Sequence, residues 1–138
     1  MDTHTNSPRV LVVDDEALVR WSVAETLSDH GFQVVESGDA QSARCAVRDA
    51  TRGFDAVLLD LQLPDSVDLS LLRTLRVMAP NTALILMTAF GTPELVQDAL
   101  HSGAYRVLDK PFEIEALANL VAEATAAPAG AVSRASAN

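Results

Sequence analysis

The sequence predicts an α/β fold in which a parallel five-stranded sheet is covered by helices on both faces. Three observations predict it. Short apolar runs rich in β-branched residues alternate with segments of helical period, the alternation repeats five times, and reactive polar residues follow the apolar runs directly. At 138 residues the chain fits one domain and is long enough to bury a core.

Each element has its own signal. Val10 to Val13, Ala56 to Leu59 and Ala83 to Met87 are continuous apolar runs, as expected of central strands buried on both sides. Val34-Val35 marks a shorter strand, and Tyr105 to Leu108, interrupted by Arg106, an edge strand. Val19, Val23 and Leu27 recur every four residues and predict a first helix ended by Gly31. Ala43, Val47 and Ala50 mark a second helix, and Leu72, Leu75 and Met78 a third that stops before Pro80. Leu95, Val96, Ala99 and Leu100 mark a fourth, capped by Thr92, opened by Pro93 and closed at Gly103. Leu117, Leu120 and Val121 mark a fifth. Right-handed crossovers follow from the repeated order, whereas the order of strands does not. The folded unit is expected over 8–125, with a disordered arm at 1–7 and a tail or linker stub at 126–138, where small uncharged residues take over.

Composition narrows the function. Ten basic and 19 acidic residues give a formal charge of −9, which argues against direct nucleic-acid binding. No apolar run approaches the ~20 residues that span a bilayer. The polar start, Met1 to Pro8, lacks a signal pattern, so the expected location is cytoplasmic. Cys45 is the one cysteine, which rules out an internal disulfide or a thiolate cluster. It is read as a small buried or half-buried helix residue, with a reactive thiol the lesser alternative. His4, His30 and His101 are too scattered to suggest a metal site and are read as surface residues.

The informative feature is where the reactive residues fall. Asp14 and Asp15 follow the first strand, Asp60 ends the third, Thr88 ends the fourth and Lys110 follows the fifth. Sites in open parallel sheets form at the carboxyl ends of the strands. Three carboxylates, a hydroxyl and an ammonium are therefore predicted to share one rim. An Asp after a strand is by itself often only a helix cap, but capping does not explain placement at four of five strand ends. Crowded carboxylates raise one another's pKa or recruit a cation. Mg²⁺ takes an octahedral oxygen shell of one or two carboxylates, waters and a phosphate oxygen. Such an ion would let a carboxylate attack a phosphoryl group, with Lys and Thr stabilising its oxygens.

The stretches LVVDDEALVR (11–20), LLDLQLPD (58–65), LMTAFG (86–91) and DKPF (109–112) resemble the receiver domain of two-component response regulators. They spread over almost the whole folded span. The resemblance implies a flavodoxin-like (βα)5 three-layer sandwich with strand order 2-1-3-4-5. It implies that Asp60 is the phosphoacceptor, that Asp15 binds Mg²⁺ (or Mn²⁺) directly, and that Asp14 helps through water. The backbone carbonyl of Gln62 would complete the ligands. Lys110 would bind the phosphoryl group and precede a cis bond to Pro111, Thr88 would be the switch hydroxyl, and the Ala89 N–H would contact a phosphate oxygen. The implied activity is phosphorelay signalling: uptake of a phosphoryl group from a histidine kinase, a phosphotransfer protein or a small donor. Beyond adding and losing that group, no enzymatic activity is expected. The fourth helix, fifth strand and fifth helix would form the responding face, including His101 and Arg106. That face would control an output domain or protein, and receivers often pair as homodimers through it. LVRWSV and TAFGTPELVQDAL look most like receivers joined to ATPase-type activators of alternative-sigma-factor transcription. The chain is then either a stand-alone receiver or a piece of a longer regulator.

Two positions depart from that pattern. Val107 stands where the family usually has Tyr or Phe, with Tyr105 two residues earlier and expected, by strand alternation, on the same face. Asp68 stands where glycine is usual, and since Asp tolerates left-handed backbone better than most residues a modest rearrangement is expected there; as a metal ligand it is the lesser alternative. Phe90, two residues after Thr88, is expected to shield the phosphoryl group from water and slow its loss. Trp21 is read as a structural residue of the first helix. Three rivals remain. An aspartyl-phosphate hydrolase would need an acid where Gln62 stands. A nucleotide-binding protein would lack its usual glycine-rich loops, and a flavin site, conceivable for this architecture, would set an anionic phosphate against acidic strand ends unless a cation intervened. The remaining alternative is a pseudo-receiver that docks partners without phosphorylation.

Overall fold

The computed structural model of the chain describes residues 7–126. The expected arm and tail therefore lie outside the described residues, except for Ser7 and Ala126, and so does His4. Elements alternate strictly: β1 (Arg9–Val13), α1 (Ala17–Asp29), β2 (Gln33–Ser37), α2 (Ala40–Asp49), β3 (Ala56–Asp60), α3 (Ser70–Met78), β4 (Ala83–Thr88), α4 (Pro93–His101), β5 (Arg106–Asp109) and α5 (Ile114–Ala126).

All strand pairs are parallel, in the order β2-β1-β3-β4-β5. β1 sits between β2 and β3, so the chain moves one way from β1 to β2 and the other way thereafter. With right-handed crossovers, that reversal puts α1 on one face and α2, α3 and α4 on the other. α5 joins α1.

The core divides accordingly. Leu11, Val13, Val57, Leu59, Leu84 and Leu86 face Ala40 and Ala43 of α2, Leu71, Leu72 and Leu75 of α3, and Ala99 of α4. The alternate residues Val10, Val12, Leu58, Ile85 and Met87 face Val23 and Leu27 of α1 and Leu117, Ala118 and Val121 of α5. β3 and β4 are buried along their whole length, which explains why their sequences are unbroken apolar runs rather than alternating ones.

The punctuation expected from the sequence is present. Gly31 (φ 92°) and Gly103 (φ 108°) take the left-handed turns after α1 and α4. Thr92 caps α4 by accepting from the Leu95 N–H at 3.2 Å. Cys45 is half-buried on α2, and His30 and His101 are exposed.

Three expectations need correction. The last strand begins at Arg106, not Tyr105, which lies in a bend before it. Alternation holds only inside a strand, so Tyr105 and Val107 do not share a face. Val107 packs in the layer of α2, α3 and α4. Tyr105 packs in the layer of α1 and α5, its hydroxyl 3.2 Å from Glu123 Oε2. Asp68 is not left-handed, because among the described residues only the two glycines have positive φ. Its carboxylate accepts from the Ser70 N–H two residues on at 2.9 Å, and that bonding with Ser70 holds its pKa down. Trp21 is 57% exposed and belongs to neither core layer.

Candidate functional site

The carboxyl ends of β1, β3, β4 and β5 meet at one rim, and each delivers its polar residue there. Asp14 continues the line of β1, its N–H donating to Ser37 O at 3.1 Å, and its side chain is fully buried. Asp14 Oδ1 accepts from the Glu16 N–H at 2.9 Å, and Oδ2 lies 3.2 Å from Lys110 Nζ. Asp60, the last residue of β3, is 4% exposed. Its Oδ1 accepts from the Gln62 N–H at 3.1 Å and its Oδ2 is 3.1 Å from Lys110 Nζ. Asp15 is exposed. Carboxylate oxygens of Asp14, Asp15 and Asp60 all lie within 4.8 Å of one another.

The charges do not balance. One ammonium serves Asp14 and Asp60 and comes within 3.7 Å of Glu16, while Asp15 adds a further negative charge beside them. Burial pushes the Asp60 pKa up and the Asp14 charge adds to this, against the opposing hydrogen bonds from Lys110 and Gln62. Burial pulls Lys110 down, but the hydrogen bonds and charges of Asp60 and Asp14 outweigh it and raise its pKa overall. An oxygen-lined site with excess negative charge and one solvent-facing member suits a hard divalent cation. The three aspartates fit that role by proximity, burial and donor type. Asp68 is not part of this cluster.

Thr88 ends β4 with 1% exposure. Its Oγ1 accepts from the Phe90 N–H at 3.1 Å, and its carbonyl accepts from the Lys110 N–H at 2.7 Å. The hydroxyl thus bonds within its own loop, and that loop is tied to the lysine by backbone. The Lys110–Pro111 bond is cis, as the resemblance implied. Phe90, the expected shield, is 75% exposed. Ala89, Lys110, Pro111, Phe112, Glu16, Leu18 and Val19 border an open groove of about 490 Å³ beside the carboxylates.

Sequence reasoning missed three contributors. Glu16 follows the acid pair and had the visible signal of a third consecutive carboxylate. Asp65, past the turn after β3, accepts from the Ala40 and Gln41 N–H groups at 2.7 and 3.1 Å, joining the loop after Asp60 to the start of α2. Arg20 of α1 donates to the Asp14 carbonyl at 2.7 Å. The Asp65 contact joins distant segments and the Arg20 contact runs from a helix side chain to a main-chain carbonyl, and no local pattern announces either.

Comparison with known proteins agrees with this geometry. The response regulator receiver domain family matches residues 10–122. The response regulator protein FleR of Pseudomonas aeruginosa is 33% identical over 114 residues, covering 83% of this chain and 24% of that protein. Sporulation initiation phosphotransferase F of Bacillus subtilis is 28% identical over 113 residues, covering 82% and 90%. The solved receiver domain of the Francisella response regulator 1452 superposes with a TM-score of 0.79 at 28% identity, covering 86% and 97%. The chain spans about a quarter of FleR and nearly all of the phosphotransferase. With the strand order and the acidic rim, these matches establish that the chain belongs to the response regulator receiver domain family.

Proposed function

We propose that this receiver accepts a phosphoryl group on Asp60 in a Mg²⁺- or Mn²⁺-dependent reaction and so controls an output partner or domain. The observation that carries the reading is the setting of Asp60: a buried carboxylate 3.1 Å from Lys110 Nζ, clustered with Asp14 and Asp15. A divalent ion held by Asp14, Asp15, Asp60 and the Gln62 carbonyl would neutralise charge on the incoming phosphoryl group.

The chain's own groups would do the rest. Asp60 attacks phosphorus, and the donor's leaving group departs with the bonding pair. Lys110 turns from Asp60 to the new phosphoryl oxygens as a point charge. The Thr88 hydroxyl exchanges its Phe90 contact for a phosphoryl oxygen, and the Ala89 N–H donates to another. The loop 88–91 then moves and biases the face of α4, β5 and α5. The donor is a histidine kinase or phosphotransfer protein. The open groove beside Lys110 leaves room for one to approach. The reading includes no turnover of an external substrate and no direct nucleic-acid contact. No helix among the described residues is long and apolar enough to cross a membrane, in keeping with a cytoplasmic site of action.

Incubation with acetyl phosphate and Mg²⁺ should add one phosphoryl group by intact mass, and Asp60→Asn should abolish the addition. Labelling retained in that variant would move the acceptor elsewhere. A wild type unaffected by acetyl phosphate and by beryllofluoride would leave the docking pseudo-receiver as the better reading.

A further inference from the structure

Arg20 lies in the first turns of α1, and its guanidinium reaches back over the loop that carries the acid pair. Nη1 donates to the Asp14 carbonyl at 2.7 Å, and Nε donates to Glu36 Oε1 of β2 at 3.0 Å. The arginine side chain is 23% exposed and the glutamate 41%. Gly38 leaves the passage open, since a Cβ there would lie 3.2 Å from Nη1. A planar fork holds two acceptors at once in a way that an ammonium does not.

The bonded carbonyl matters because of the peptide it belongs to. Asp14 is already fixed by its N–H to Ser37, by the Glu16 N–H on Oδ1 and by Lys110 on Oδ2. Asp15, exposed at the mouth of the cluster, depends on the orientation of the peptide that joins it to Asp14. That peptide is planar, so holding its carbonyl end sets the direction in which residue 15 leaves. We propose that Arg20 is a positioning residue: by holding the Asp14 carbonyl against Glu36 it aims the Asp15 carboxylate into the cation site. The proposal rests on the reading that Asp14, Asp15 and Asp60 hold a divalent cation.

Charge and positioning predict opposite signs. Arg20 is a cation near three carboxylates, so by Coulomb's law alone its removal should tighten Mg²⁺ binding. Positioning predicts weaker binding, by about tenfold, the lower end of what outer partners of metal ligands contribute. The test is an NMR titration of the full chain with MgCl₂, comparing wild type, Arg20→Gln and Arg20→Lys, with urea unfolding to verify that each variant is folded. Arg20→Gln is expected to bind Mg²⁺ about tenfold more weakly, with Arg20→Lys recovering part of the loss. Without metal, the Asp15 and Glu16 amide resonances are expected to shift or broaden in Arg20→Gln. Equal or tighter Mg²⁺ binding by folded Arg20→Gln, or unchanged amides, would overturn the proposal. A wild type that binds no Mg²⁺ would instead overturn the cation-site reading, and the metal-free amides would still decide whether Arg20 orients the loop.

Discussion

Helices α4 and α5 flank the same short strand but are held very differently. α5 buries Leu117, Ala118, Leu120, Val121 and Ala124. α4 buries only Ala99, with Leu95 and Val96 partly covered and Leu100 45% exposed. α4 is instead secured at its far end. Arg73 Nε lies 3.2 Å from Ser102 Oγ, and Arg76 donates to Gly103 O at 2.9 Å while also holding the carbonyls of Ala79 and Thr82. At the near end lie Thr88, exposed Phe90 and Thr92. Of the two helices, the one that follows Thr88 is thus the more loosely seated. Local stability varies across a fold, and elements that move come from its weaker end.

The largest expected effect that sharpens this contrast is on global stability. Leu117→Ala should cost about 2–5 kcal/mol in urea unfolding, as for a buried leucine, whereas Leu95→Ala should cost about 1 kcal/mol. Equal costs would erase the distinction between the two helices. Next comes the pin. Arg76→Ala removes the guanidinium from the Gly103 and Thr82 carbonyls, while the Ala79 carbonyl keeps the Thr82 N–H, and should cost about 1–3 kcal/mol. Hydrogen exchange should then quicken along α4 well before α5; a uniform increase would mean that Arg76 serves the fold as a whole.

A smaller effect concerns Asp60. Its folded pKa is raised, so its ionised form burdens the fold, and that burden grows as pH rises through the folded value. The attraction to Lys110 is already counted in that balance. Asp60→Asn should therefore raise the urea midpoint at neutral pH without metal, and a lower midpoint would show that the ion pair outweighs burial.

The smallest effect lies at the start of α2, which carboxylates hold where α4 relies on a neutral threonine. The Ala40 and Gln41 N–H groups keep the Asp65 pKa below the usual carboxylate range. Its stabilising contribution is present above the unfolded value of about 3.9 and is lost as pH falls through the lower folded value. The stability gap between wild type and Asp65→Asn should close in that acid window. A gap that persists there would mean that the amide caps as well as the carboxylate does.

Much of this was legible in the sequence because the central strands are buried on both sides. Such strands must be apolar throughout, and Val10–Val13, Ala56–Leu59 and Ala83–Met87 are. The rim was legible because strand ends fall at known places along the chain. Strand order was not, since periodicity carries no pairing information; the resemblance supplied it. Tyr105 was assigned to the wrong face because alternation was extended one residue past the strand's real start. Asp65 was invisible because its partners open α2, 24 and 25 residues away, and Arg20 because no local pattern announces a side chain reaching back to a main-chain carbonyl and across to β2. At Asp68 a modest rearrangement was expected, and the backbone there is ordinary, with the carboxylate accepting from the Ser70 N–H.

The two outermost strands also carry a consequence for solubility. β5 is four residues long and bounded by Arg106 and Asp109, and β2, at the opposite margin, is five residues long and includes Glu36. Unpaired backbone at a sheet margin invites other chains to add on, and brevity and charge discourage it. Strand-to-strand addition of copies, and extended cross-β growth with it, should therefore be rare while the native state persists.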